Sequence, residues 1–139
     1  MKILVCENNE ILLKAIEGRL KLEGHDVITT MNGREAYNFL EKEKVDVMIT
    51  DILIPFISGL ELIFFVRNQF KYDFPIIILS KLNNMDTIKY AYRLGADEYI
   101  TKPFDPDWLE VQIKKAMINK SLNTKEIKVD ISENRYSLS

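Results

Sequence analysis

Val45-Asp46-Val47-Met48-Ile49-Thr50-Asp51-Ile52-Leu53-Ile54-Pro55, with Gly59 four residues further on, reads as a strand buried on both faces that ends on a lone carboxylate. Asp46, near its start, is the one interruption. Open α/β sheets place their chemistry just beyond the carboxyl ends of such strands. Three more apolar runs end on a polar residue in the same way. Glu7 follows Ile3-Leu4-Val5-Cys6, Ser80 follows Ile76-Ile77-Ile78-Leu79, and Lys102 follows Tyr99-Ile100-Thr101. Two carboxylates, a hydroxyl and an ammonium at four strand ends describe a site for a phosphoryl group and a metal.

Outward from that stretch, short apolar runs alternate with helical patterns, the signature of βα units and a parallel sheet. Strands are expected over 2–6, 27–30, 45–50, 76–79 and 98–101. A helix over 9–23 carries Ile11, Leu12, Ala15, Ile16, Leu20 and Leu22 at helical spacing and stops at Gly24. The next starts at Asn32-Gly33 and holds Ala36, Tyr37 and Leu40. An unusually apolar helix is expected over 59–69, and another over 86–94 closed by Gly95. A last one has Pro106 in its first turn and Leu109, Ile113, Ala116 and Met117 as its core stripe. Strict alternation gives an α/β fold: a doubly wound, five-stranded parallel sheet with five helices in a three-layer sandwich.

The 139 residues suffice for one ordinary domain, and 47% hydrophobic content supports a packed core. A formal net charge of −2 gives no pull toward nucleic acid. The single cysteine, Cys6, excludes an internal disulfide and reads as a small core residue in a reducing, cytoplasmic setting. The first apolar run is too short for a signal peptide, and no run is long enough to span a bilayer.

Residues 122–139 fall outside the βα pattern. Ile127, Val129 and Ile131 alternate with Lys128 and Asp130, which reads as one lone strand. Residues 1–121 are expected to form the domain, with 122–139 a tail, a linker or the start of a further domain.

Asp51-Ile52-Leu53-Ile54-Pro55 with Gly59 resembles the phosphoacceptor loop of response-regulator receiver domains, the CheY-like modules of two-component signal transduction. Ile78-Leu79-Ser80 resembles their fourth-strand hydroxyl position, and Asn32-Gly33-Arg34-Glu35-Ala36 also matches. Gly95-Ala96-Asp97-Glu98-Tyr99-Ile100-Thr101-Lys102-Pro103-Phe104 resembles their fifth-strand signature. The resemblance covers residues 1 to 120 and implies a Mg²⁺-dependent phosphorylation of Asp51 by a sensor histidine kinase. It implies that Asp51, Asn8 and the Leu53 carbonyl bind the metal, with Glu7 acting through water. Lys102 would neutralise phosphoryl oxygens, Ser80 would hydrogen-bond the acquired group, and Tyr99 would turn inward as the switch. The Lys102–Pro103 bond is cis in this family, and residues 53 and 82, both leucine here, flank the path of the hydrolytic water. The fourth helix, fifth strand and fifth helix would form the face whose partner preference changes and through which homodimers form. The segment 125–139 resembles the opening strand of a DNA-binding output domain, so DNA would be reached only through a domain absent from this chain.

The family usually has two consecutive acids after the first strand, where this chain has Glu7-Asn8-Asn9. An amide at position 8 still offers a carbonyl oxygen but no charge, so Mg²⁺ should bind more weakly. The alternative is therefore a degenerate receiver that binds partners without being phosphorylated. A phosphatase forming an aspartyl phosphate would need an acid at 53, where leucine cannot transfer a proton. A flavin-binding module would need a phosphate-cradling loop where Glu7-Asn8-Asn9 stands. His25, the only histidine, reads as a surface residue of a turn. Trp108, on the last helix, either folds over the sheet edge or marks a partner face. Ile88, Trp108 and Gln112 occupy positions where related dimers carry charges.

Overall fold

The computed structural model describes residues 1–133, with side chains through residue 122. Five parallel strands, β1 (Lys2–Cys6), β2 (Asp26–Thr30), β3 (Val47–Asp51), β4 (Ile76–Ser80) and β5 (Glu98–Thr101), form one sheet in the order β2-β1-β3-β4-β5. Side chains along each inner strand alternate between two apolar clusters. Ile3, Val5, Val47, Ile49, Ile77 and Leu79 face one, while Leu4, Cys6, Met48, Ile76 and Ile78 face the other. The first cluster is closed by Leu13, Ile16 and Leu20 of helix α1 (Glu10–Leu22) and by Leu109, Ile113 and Ala116 of α5 (Leu109–Glu133). The second is closed by α2 (Gly33–Lys42), α3 (Gly59–Phe64) and α4 (Met85–Leu94). The result is the expected three-layer, doubly wound sandwich.

Helix starts follow from capping chemistry. The Asn9 side chain accepts from the Leu12 N–H at 3.0 Å, and that of Asn32 from the Glu35 N–H at 2.9 Å. Ser58 and Glu61 form a reciprocal capping box at the head of α3. Gly95 closes α4 with φ at +125°, a conformation that favours glycine.

Three expectations need correction. The helix over 59–69 changes pitch: α3 ends at Phe64, and Phe65–Gln69 form a π-helical turn closed by the Phe70 N–H on the Phe65 carbonyl at 2.9 Å. The wider turn holds Val66 in the core and Phe65 edge-on to Tyr37 at 5.1 Å, so apolar residues on more than one stripe are covered. Residues 127–131 are not a strand, because α5 runs through them to Glu133. No glycine or proline interrupts 109–133, and an established helix propagates more easily than a lone strand forms without a partner. Met117, placed in the core stripe, is instead over a third exposed.

Arg67 organises the far end of the sheet. Its guanidinium donates to the carbonyls of Tyr72, Phe74 and Gly95 and to the Asp97 carboxylate, at 2.8 to 3.2 Å. Asp97 also accepts from the Ile76 N–H at 2.9 Å, fixing the start of β4.

Candidate functional site

The chain leaves β1 toward β2 on one side and returns to β3 on the other, which opens a crevice at the carboxyl ends of β1 and β3. Glu7 and Asp51 meet there, with 2% and 6% of their surface exposed. Two carboxylates so buried need positive charge or donors. Lys102 reaches between them from the end of β5, its Nζ 2.5 Å from Glu7 Oε1 and 2.7 Å from Asp51 Oδ2. Burial opposes the ammonium, but hydrogen bonds and charge from Asp51 and Glu7 prevail and hold its pKa above the ordinary value. The remaining carboxylate oxygens are also satisfied. Glu7 Oε2 accepts from the Asn9 N–H at 2.9 Å and Asp51 Oδ1 from the Leu53 N–H at 3.1 Å.

The backbone around these groups is tightly set. The Lys102 N–H donates to the Ser80 carbonyl at 2.8 Å, and the Lys102–Pro103 bond is cis, as the resemblance implied. The loop after Asp51 is pinned by two glycines. A Cβ on Gly59 would stand 2.2 Å from the Asp51 carbonyl oxygen, and one on Gly33 would stand 1.8 Å from that of Ile57. The Gly59 and Gly33 N–H groups donate to Ile52 and Pro55 in the same loop. Phe56, within it, holds φ at +72°, uncommon for a bulky residue, and its ring is exposed.

Of the residues singled out in the sequence, Glu7, Asn8, Asp51, Leu53 and Lys102 line one pocket of about 340 Å³. Ser80 and Tyr99 stand beside it rather than on its lining. Ser80 is fully buried and its Oγ accepts from the Leu82 N–H at 3.1 Å. Tyr99 lies half-buried against the second cluster, with its hydroxyl donating to the Leu82 carbonyl at 2.6 Å. Two side chains differ from expectation. The His25 ring is nearly covered: Nε2 lies 2.8 Å from Glu110 Oε2, and the Met1 ammonium donates to Nδ1 at 3.2 Å. The turn before β2 lies under the first turn of α5, so a histidine read as surface sits between two elements. Trp108 belongs to a 3-10 turn (Pro106–Trp108) ahead of α5 rather than to the helix itself, with 58% of its surface exposed. Lys81, next to Ser80, also lines the pocket and was not singled out; its place one residue past a strand end was the available signal.

The donor set fits a small hard cation. Mg²⁺ takes one or two carboxylates, keeps several waters and prefers oxygen. Glu7 and Asp51 bring two carboxylates to the pocket, and Asn8 and Leu53, which carry an amide and a backbone carbonyl, are also on its lining. No group of three or more His, Cys, Asp or Glu suited to a metal occurs among the described residues, so two carboxylates are what this site offers.

This fold, with a carboxylate crevice bridged by a lysine on a cis-proline turn, defines a class of signalling modules. The response regulator receiver domain family matches residues 3–114, and the chain belongs to that family. It is 35% identical over 114 residues to the transcriptional regulatory protein CrdR of Helicobacter pylori, covering 82% of this chain and 54% of that protein. It is 37% identical over 133 residues to the probable transcriptional regulator ycf29 of Porphyra purpurea, covering 94% of this chain and 63% of that one. Among solved structures, the chemotaxis response regulator CheY4 of Vibrio cholerae superposes with a TM-score of 0.77 at 28% identity, over 83% of this chain and 97% of that one. The chain spans about half to two thirds of the length of these curated relatives. The protein is a receiver domain of two-component response regulators, and this company favours phosphoacceptor function over a phosphorylation-independent receiver. Response regulators receive their phosphoryl group from sensor histidine kinases. Among the described residues, no helix is long and apolar enough to cross a membrane.

Proposed function

We propose that Asp51 is the phosphoacceptor and that a sensor histidine kinase is its donor in the cytoplasm. One observation carries the reading: the Asp51 and Glu7 carboxylates share a single ammonium, that of Lys102, in a crevice at the ends of β1 and β3. An Asp51 oxygen forms the new bond to phosphorus while the donor's P–N bond breaks and its electron pair stays on the histidine ring. Lys102 sits 2.7 Å from the nucleophile, where it can meet charge on the transferred oxygens. Asp51, Asn8 and the Leu53 carbonyl would hold Mg²⁺, with Glu7 acting through water, and the ion would supply further positive charge there. Ser80 hydrogen-bonds the acquired group and Tyr99 transmits the change to the face of α4, β5 and α5. That face serves partners, including a second copy of the chain, with exposed Trp108 at its margin. Residues 1–121 form the receiver, with 122–139 a tail, a linker or the start of a further domain, and DNA would be reached only through such a domain.

The test is incubation with acetyl phosphate and Mg²⁺ followed by intact mass. Wild type gains one phosphoryl group and Asp51→Asn gains none. A wild type that stays unmodified at every Mg²⁺ concentration overturns the reading.

A further inference from the structure

Lys81 is the one charged side chain at the site without a role in the account above. It follows Ser80 at the end of β4 and is exposed. It lines the pocket that holds Glu7, Asn8, Asp51, Leu53 and Lys102. It also lines an adjoining pocket of about 370 Å³ with Asn9, Leu12, Lys102, Pro103 and Phe104. Lys102 is committed to Glu7 and Asp51, whereas Lys81 pairs with no carboxylate among the described residues. Across both linings the charged groups are two acids, Glu7 and Asp51, and two ammonium groups, Lys81 and Lys102. The formal sum is zero. Asn8 contributes to this balance, since an acid there would make the sum negative.

We propose that Lys81 is a second phosphoryl-binding cation of this site, one that takes over part of the charge a more acidic site would draw from its metal. The inference rests on the phosphoacceptor reading. Phosphorylation replaces the single charge of the Asp51 carboxylate by the two of an aspartyl phosphate, so it adds one net negative charge to a pocket that has none and that both Lys102 and Lys81 line. The lysine stem is flexible enough to swing its compact ammonium onto an oxygen. The same ammonium repels a divalent cation approaching Glu7 and Asp51. Lys81 therefore acts with opposite sign on the two ligands: it favours the phosphoryl group and disfavours Mg²⁺ alone. A lysine directed at solvent does neither, and one needed for the shape of the loop would strengthen both.

The experiment is calorimetry on wild type, Lys81→Ala and Lys81→Arg with two probes, Mg²⁺ alone and beryllofluoride at saturating Mg²⁺. In Lys81→Ala, beryllofluoride affinity should fall about fivefold, the upper range for an exposed charge pair. Mg²⁺ affinity should rise about twofold, and both changes should shrink as ionic strength increases. Lys81→Arg should return both toward wild type, because the charge is restored. Affinities unchanged in Lys81→Ala, or shifted in the same direction, overturn the proposal. If wild type gains phosphoryl mass from acetyl phosphate while Lys81→Ala behaves like it in both titrations, the phosphoacceptor reading stands and the role of Lys81 falls. If wild type binds no beryllofluoride at all, both fall together.

Discussion

Ser80 and Tyr99 grip the same residue from opposite ends: Ser80 Oγ accepts the Leu82 N–H at 3.1 Å, and the Tyr99 hydroxyl donates to the Leu82 carbonyl at 2.6 Å. If Ser80 is drawn toward a phosphoryl group on Asp51, as proposed, the Leu82 N–H would be released and the seat of Tyr99 loosened. The aromatic ring is thus tied to the site through one residue of the β4–α4 loop. Tyr99→Phe keeps the ring and removes the bond, leaving the Leu82 carbonyl without its donor. It should cost about 1 kcal/mol, read from the urea midpoint. In amide NMR, beryllofluoride should shift Leu82 in both proteins, but the shifts in α4 and β5 should shrink in the variant. Equal shifts throughout α4 and β5 would show that the ring does not carry the signal.

Gly59 is required by the acceptor's own backbone. A Cβ at that position meets the Asp51 carbonyl oxygen at 2.2 Å, where neither atom belongs to a flexible side chain. Gly59→Ala should therefore push the 52–58 loop away from β3 and cost about 1–3 kcal/mol by overpacking. Because the Leu53 N–H bonds Asp51 Oδ1, the nucleophile is displaced too. Phosphorylation by acetyl phosphate should slow even where the variant remains fully folded by circular dichroism. Gly18→Ala, where a Cβ meets nothing within 4 Å, is the control and should leave the phosphorylation rate unchanged.

Cys6 gives a pH dependence with a defined sign. Burial raises its thiol pKa from 9.0 to about 11, against weaker opposing hydrogen bonds from Thr30 and Thr50. The folded pKa lies above the unfolded one, so its contribution is fully present below pH 9 and is lost as pH rises toward 11. A shift of that size is worth about 2 kcal/mol at the upper end of the window. Other groups titrate there as well, so the measurement is a difference. Between pH 8 and 11, wild type should lose about 2 kcal/mol more stability than Cys6→Ala. Parallel profiles would mean that the thiol ionises equally in both states.

The strand ends were legible because a buried parallel strand leaves few reasons for a charged terminal residue. Glu7, Asp51 and Lys102 stand together in the fold as they stand at run ends in the sequence. What stayed hidden are contacts made with backbone or across long separations. Arg67 spends its guanidinium on three carbonyls, and carbonyls have no residue signature. His25 and Glu110 are 85 residues apart, and nothing local to either announces the other. The π turn at Phe65–Gln69 keeps the apolar count of an α-helix and changes only its pitch. The alternation at 127–131 misled because period two is a strand signal only where a neighbouring strand can pair.

The lifetime of the phosphoryl group on Asp51 should depend on Leu53 more than on Leu82. Hydrolysis needs a water in line with the departing carboxylate oxygen, and polar groups that orient such a water speed it. The resemblance placed both leucines beside that path. The fold separates them: Leu53 is mostly exposed and lines the pocket with Asp51, whereas Leu82 packs against the core cluster under α2, α3 and α4. Neither can orient a water, and Leu53, on the pocket lining, is the one from which a polar replacement would most directly reach one. Leu53→Asn should therefore shorten the aspartyl phosphate lifetime several-fold. Leu82→Glu should change it little and should lower stability instead, since its carboxylate must leave the core or be buried. The measurement is decay of intact phosphorylated mass after the phosphodonor is removed, at saturating Mg²⁺ so that metal affinity drops out. A Leu82→Glu variant that decays faster than Leu53→Asn would reverse this order and place the water on the β4–α4 side of the pocket.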